Sequence, residues 1–215
     1  IAYRVCGAVS ADSDVPLAVL IGLKNLLIGG FTRERFVEWL SLPIVSEKFD
    51  LESDDLAILN RWLAAAGFEV GLNPAHLDAQ RDAQAADPRQ TQVYAPAALH
   101  ELTLERALER LAFGWMLPQD EDAAPYGDVL PVVGTELGGW DATGEKSGLL
   151  LKLANLYAVL ETLRLKTAEG EKLTDGTSAH FWTLWIGEVL QKCFPAETPQ
   201  RDWLAIRRAA ADLAD

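Results

Sequence analysis

The segment Leu102–Pro118, LTLERALERLAFGWMLP, decides the fold class. Leu104, Ala107, Leu108, Leu111, Ala112 and Trp115 recur at three- and four-residue steps, the apolar stripe of a helix. Thr103 is a residue type that caps a helix, although Arg106 stands where a capping box wants Glu. Glu105, Arg106, Glu109 and Arg110 fall on the opposite side, where Glu105 and Glu109 repel while Arg106 and Glu109 attract. Gly114 and Pro118 close the segment. Such a helix packs against others and does no chemistry by itself.

The same pattern continues on both sides. Ile1–Val5 alternates apolar and polar residues and reads as a short strand ending at Gly7. Ser13 or Asp14 is placed to cap a buried helix from Leu17 to Ile28, with Pro16 in its first turn and Gly29–Gly30 as its stop. Thr32 caps a helix from Arg33 to Leu42, and Pro43 opens a turn through Phe49. Ser53, with Asp54 and Asp55 at the favourable end of the helix dipole, begins a helix to Ala66 that Gly67 terminates. Phe68–Asn73 is a brief extended piece. Asn73–Ala98 reads as an irregular connection with one short helix near His76–Gln84. Beyond the central helix, Gln119–Gly144 is a long loop. Helices follow at Ser147–Lys166 and Ser178–Phe194, the latter burying Phe181, Trp182, Trp185, Val189 and Leu190. Thr198 caps a last one, with Pro199 at its first position. The fold class is mainly α: a helical bundle with a short N-terminal strand and long loops. It forms one domain over residues 1–215, with sub-lobes 1–72 and 99–215 joined by the irregular segment 73–98.

The composition is that of a globular chain, 49% hydrophobic and 24% charged over 215 residues. No apolar run reaches the roughly 20 residues of a membrane helix. Ile1 opens a strand-like piece and Asp215 closes a helical one, which leads us to expect a fragment of a longer protein. Cys6 and Cys193 have no neighbouring Cys or His; two free thiols of a cytosolic protein are expected, and a disulfide is the alternative. The formal net charge of −13 opposes the sign of free-standing nucleic-acid binders. Contact with DNA would have to use a local patch or a larger assembly.

Motifs for chemistry are missing. Neither GxxxxGK[ST] nor GxGxxG occurs, GxSxG is absent, and His76, His100 and His180 lack metal-ligand spacing. Asp120–Asp122 and Glu52–Asp55 lack the spacing of a calcium loop and read as solvated charge. Glu169-Gly-Glu171-Lys172 has the letters of a nuclease triplet but sits between two helices without a strand. Trp140, in a glycine-rich loop, is the one tryptophan outside helical spacing. No catalytic, cofactor or metal site is expected.

Two sets of residues carry a resemblance. Ile1-Ala-Tyr-Arg-Val-Cys-Gly7 resembles the IPYRVxG strand of superfamily-1 DNA helicases of the UvrD/Rep type, where an inserted 2B subdomain follows; Ala2 replaces the proline. More of the chain is similar to the gamma subunit of exodeoxyribonuclease V, RecC, in its central helicase-like region. Phe31–Leu40 with Leu42–Phe49 resembles that family's helix and "LxxPAVxxRF" turn. Asp54–Trp62 through Ala66–Gly67 resembles its "EDLxxLxxWxxxAG" helix, and Val70–Leu72 its "RWGLD". Glu105–Leu111 with Gly114–Pro118 resembles "FGLDRLLLGYAMP", though the Thr-Trp-Arg-Phe lead is replaced by Leu102–Glu105 and Tyr by Trp115. Leu149–Leu163 and the Trp182–Trp185 helix, down to Phe194–Pro195, match later helices.

The resemblance implies a 2B-type helical subdomain, a non-catalytic structural and DNA-channel module of a cytoplasmic RecBCD-like complex in double-strand-break repair by homologous recombination. The implied partners are RecB-like and RecD-like subunits, which would use ATP and Mg, and double- and single-stranded DNA through the assembled complex. No membrane is implied. Candidate phosphate contacts, chosen as basic and helical, are Arg33, Arg35, Arg164 and Lys166. The alternatives are a 2B-type regulatory domain of an active superfamily-1 helicase or AddB-like helicase-nuclease, and a helical protein-interaction domain.

Overall fold

The computed structural model describes residues 11–85, 96–116, 125–132, 145–169 and 179–196. Its helices are α1 (Ala11–Gly29), α2 (Arg33–Leu40), α3 (Pro43–Lys48), α4 (Ser53–Ala65), α5 (Pro74–Ala85), α6 (Pro96–His100), α7 (Leu104–Met116), α8 (Glu145–Glu169) and α9 (Ala179–Cys193). The only β pairing among the described residues is two isolated bridges, Thr32 with Val70 and Tyr126 with Val129. The domain is mainly α, as the apolar periodicity requires. The strand expected at Ile1–Val5, the helix after Thr198, and Cys6, Trp140 and the Glu169–Lys172 triplet's last three residues lie outside the described residues.

The extended residues 69–72 tie the helices together. On one side Arg33 N–H donates to the Glu69 carbonyl at 3.2 Å, and Gly71 N–H to Phe31 at 2.7 Å. On the other, Glu69 and Val70 N–H groups share the Leu102 carbonyl at 2.9 and 3.1 Å. The strip also completes α7. The first N–H groups of a helix lack internal partners; here Leu104 N–H goes to Gly71 and Glu105 N–H to Leu72, each at 3.0 Å. Thr103 Oγ1 accepts the next, from Arg106, at 3.4 Å. The expected Thr103 cap is present. Gly71 has φ +82°, and a Cβ there would meet Leu77 Cγ at 2.5 Å, so no other residue serves at that turn.

Around this strip one apolar cluster runs from Val19 on α1 to Phe194 beyond α9. Phe31, Phe36 and Phe68 pack ring against ring, with centroids 5.4 to 6.0 Å apart. Trp39 Nε1–H donates to the Val19 carbonyl at 3.1 Å, and a Cβ on Gly22 would lie 2.9 Å from the same indole, so α1 and α2 meet backbone to ring. Lys152 on α8 donates to the carbonyl of Asp50 and pairs with its carboxylate at 3.0 Å, fastening α8 to the α3–α4 turn.

Several expectations need correction. α1 starts at Ala11, so Ser13 and Asp14 lie inside it and Pro16 is not in its first turn. Residues 43–48 form a helix rather than a turn, with Pro43 at its start, where a missing N–H costs nothing. α4 begins at Ser53 as expected, with Glu52 as its N-cap; Asp55 Oδ2 accepts the Glu52 N–H at 3.1 Å. In the segment read as irregular, the short helix expected near His76–Gln84 is present as the twelve-residue α5, and the short α6 is added at its far end. Trp115 is 41% exposed instead of buried, because Leu104, Ala107, Leu111 and Gly114 form the inward line and Trp115 is turned about 100° from Gly114. Phe181 and Trp182 are only partly buried, while Trp185, Val189 and Leu190 are buried as expected.

Candidate functional site

Where α1, α5, α7 and α8 converge, the core holds a cluster of polar side chains. Asn73 begins it. Its Oδ1 accepts the His76 N–H at 2.9 Å, the N-cap of α5, with Pro74 in the first helical position. Its Nδ2 reaches Glu161 Oε2 at 2.8 Å and the Tyr157 hydroxyl at 3.3 Å, both on α8. Tyr157 donates to Glu105 Oε1 at 2.8 Å, bringing in the first turn of α7. Arg164 lies one turn beyond Glu161 and grips it with two bonds, Nε to Oε2 at 2.8 Å and Nη2 to Oε1 at 2.6 Å.

His76 closes the cluster toward α1. Leu72 N–H donates to its Nδ1 at 3.2 Å, which leaves the proton on Nε2, 2.8 Å from the Leu27 carbonyl. Burial pushes its pKa below the ordinary value, and the neutral ring is the form both bonds require. The bond to Arg164 holds Glu161 below the usual carboxylate range. Burial raises Tyr157, keeping its proton for Glu105. Cation, carboxylates, phenol and imidazole are thus each engaged with protein partners. The arrangement fastens helices rather than activating a nucleophile. Cys193, free and buried, has its thiol pushed up to about 12 by burial, which keeps it protonated and unreactive.

A second, solvent-facing cluster lies along α7. Arg106 pairs with Glu101 at 3.2 Å, Glu109 at 2.7 Å and Asp128 at 2.5 Å. Arg110 pairs with Glu101 at 2.9 Å and donates to the Ala66 carbonyl at 3.0 Å, covering the end of α4. The attraction expected between Arg106 and Glu109 is present.

The four basic candidates fall on two helices. Arg33 and Arg35 occupy the first turn of α2, Arg164 and Lys166 the later part of α8. Arg33 is half-buried between Glu34 at 3.8 Å and Glu69 at 3.7 Å. Arg35 is exposed and donates to the Gly30 carbonyl at 3.2 Å. Arg164 is 8% exposed and held by Glu161, so reaching a phosphate would break a buried ion pair. The Lys166 side chain lies outside what is described. What sequence reasoning missed is the Asn73–His76–Glu161 cluster. Asn73-Pro74 is a cap signal that was readable, as is the i, i+3 spacing of Glu161 and Arg164.

Among the described residues no three or more His, Cys, Asp or Glu side chains are grouped to hold a metal ion, and no helix is long and apolar enough to cross a membrane. No curated protein matches the chain. The family model described as "RecBCD enzyme subunit RecC fourth domain" matches residues 14–215, nearly the whole chain. With helices that occupy the positions of the RecC-like segments, this places the chain in that family: it is a RecC fourth-domain protein.

Proposed function

We propose that this domain is a 2B-like, non-catalytic insertion of a RecC-type subunit, working in a cytoplasmic exodeoxyribonuclease V that processes double-strand breaks for homologous recombination. The family match over residues 14–215 carries the reading. Its support from the fold is that the polar interior is spent on holding four helices together. In this reading ATP and Mg belong to the RecB-like and RecD-like subunits, and the domain shapes a channel through which the assembled complex leads double- and single-stranded DNA. Its phosphate contacts come from Arg33 and Arg35 at the start of α2, and from Lys166. Arg164 remains with Glu161.

The test is salt dependence in the intact complex. Each phosphate contact contributes about 0.9 to the slope of log affinity against log salt on duplex DNA. Reversing Arg33, Arg35 and Lys166 to Glu should weaken binding and flatten that slope by roughly two to three. An unchanged slope sinks the channel reading.

A further inference from the structure

The two sides of α9 differ. Trp185, Val189, Leu190 and Cys193 are buried, while Leu184 is 58% exposed and Gly187 and Gln191 are exposed as well. Together with the half-buried Phe181, the exposed residues line the outer side of the helix at steps of three, three and four. Nothing lies within 4 Å of a Cβ added at Gly187, so this line carries a notch between Leu184 and Gln191. Phe194 is buried and fixes the point at which the chain leaves α9.

The sequence past Ala196, outside the described residues, carries the complement of that line. Thr198-Pro199 is a helix-start signal, and Trp203, Ile206, Ala210 and Leu213 follow at steps of three, four and three. Only the five residues 194–198 separate the end of α9 from Pro199. That is the length of a helical-hairpin loop, which returns its second helix antiparallel beside its first. Counting outward from residues 196–197, the middle of the connection, sets Trp203 level with Gln191 and Ile206 with Gly187. It also sets Ala210 level with Leu184 and Leu213 with Phe181, each pair within one residue. Large residues then meet small ones, Ile206 at the Gly187 notch and Leu184 against Ala210. On one flank Glu188 and Arg207, of opposite charge, fall within a turn of each other.

We infer that residues 199–213 of this chain dock as an amphipathic helix, antiparallel, on the outer side of α9, with Ile206 in the Gly187 notch. The inference rests on neither the RecC assignment nor the DNA-channel reading. The experiment places the photo-crosslinking residue p-benzoylphenylalanine at position 184, or separately at 191, of the full-length protein and maps the tryptic products by mass spectrometry. Position 191 should mark the peptide Asp202–Arg207, and position 184 the peptide that begins at Ala209, both within one chain. Gly187→Phe, at an exposed position outside the core, should fill the notch and speed native-state trypsin cleavage after Arg207 and Arg208 on the order of tenfold. Gly187→Ala, which adds only a methyl, should leave that rate unchanged. The opposite marking by the two positions, crosslinks elsewhere in the chain, to a second copy, to another subunit or to DNA, or no crosslink at all would overturn the inference. So would equal cleavage of the Gly187→Phe variant and the parent. The salt-slope test of the channel reading is independent of all these outcomes.

Discussion

The Asn73 amide donates to the Glu161 carboxylate at 2.8 Å, joining the cap of α5 to α8 across a separation of 88 residues. Glu161 simultaneously neutralises Arg164, so one carboxylate serves two helices. Removing it takes two charge-assisted bonds from a buried guanidinium. Glu161→Ala should cost about 3–5 kcal/mol, whereas Glu161→Leu with Arg164→Met should stay within about 1–2 kcal/mol of the parent. Urea unfolding midpoints of the three proteins decide this; equal losses for both variants would show that Arg164 finds another partner.

Glycines separate by what surrounds them. Gly22→Ala pushes a methyl into Trp39 and should destabilise by about 1–3 kcal/mol. Gly187→Ala, in α9 with nothing within 4 Å of its added Cβ, should stabilise by about 0.5–1 kcal/mol. Thermal melts of the two variants should move in opposite directions.

His76 sets a pH dependence with a definite sign. In the unfolded chain its imidazole titrates near 6.5, and in the folded chain burial holds the value lower. Above about pH 6.5 the ring is neutral in both states and contributes no slope. As pH falls below that value the unfolded chain takes the proton first, so stability declines until the pH passes the folded pKa. The decline is at most about 1.4 kcal/mol per pH unit. His76→Gln should remove this part of the slope, measured by urea unfolding between about pH 7.5 and about pH 5.5. Parallel curves for parent and variant would mean that the imidazole titrates alike in the folded and unfolded chain, so that burial does not hold its value down.

The α7 charges should behave as surface pairs. Arg106→Ala should cost about 1 kcal/mol or less and lose its effect in high salt, because its partners are solvated. Arg110→Ala should cost more and keep most of that cost in salt, since it also leaves the Ala66 carbonyl without its donor. Unfolding at low and high sodium chloride distinguishes the two.

The helices were legible because their apolar spacing is local. Leu104, Ala107 and Leu111 announce α7, and Thr103 announces its cap. Trp115 was misplaced because a stripe drawn by residue type runs through it from Leu111, whereas the inward line passes through Gly114, about 100° away around the helix. α3 was missed, and α5 was drawn a few residues short at its start, where polar composition masked start signals that Pro43 and Pro74 supply. The polar cluster was illegible for another reason. Asn73, Glu105 and Glu161 are unremarkable letters, far apart in sequence, and only tertiary packing gives them one another as partners. The RecC-like segments supplied the family, which no periodicity contains.

The strip at residues 69–72 has a consequence for synthesis on the ribosome. Its early partners, Phe31 and Arg33, emerge before it, but the Leu102 carbonyl and the α7 amides emerge much later. Until they do, α1 to α4 can assemble while one edge of the strip faces outward with unpaired donors and acceptors. The nascent domain therefore passes through a half-built state whose open backbone edge invites wrong pairing. Completion waits on the arrival of α7, so a pause in translation that holds Leu102–Met116 inside the ribosome should prolong chaperone association, and one after they have emerged should not.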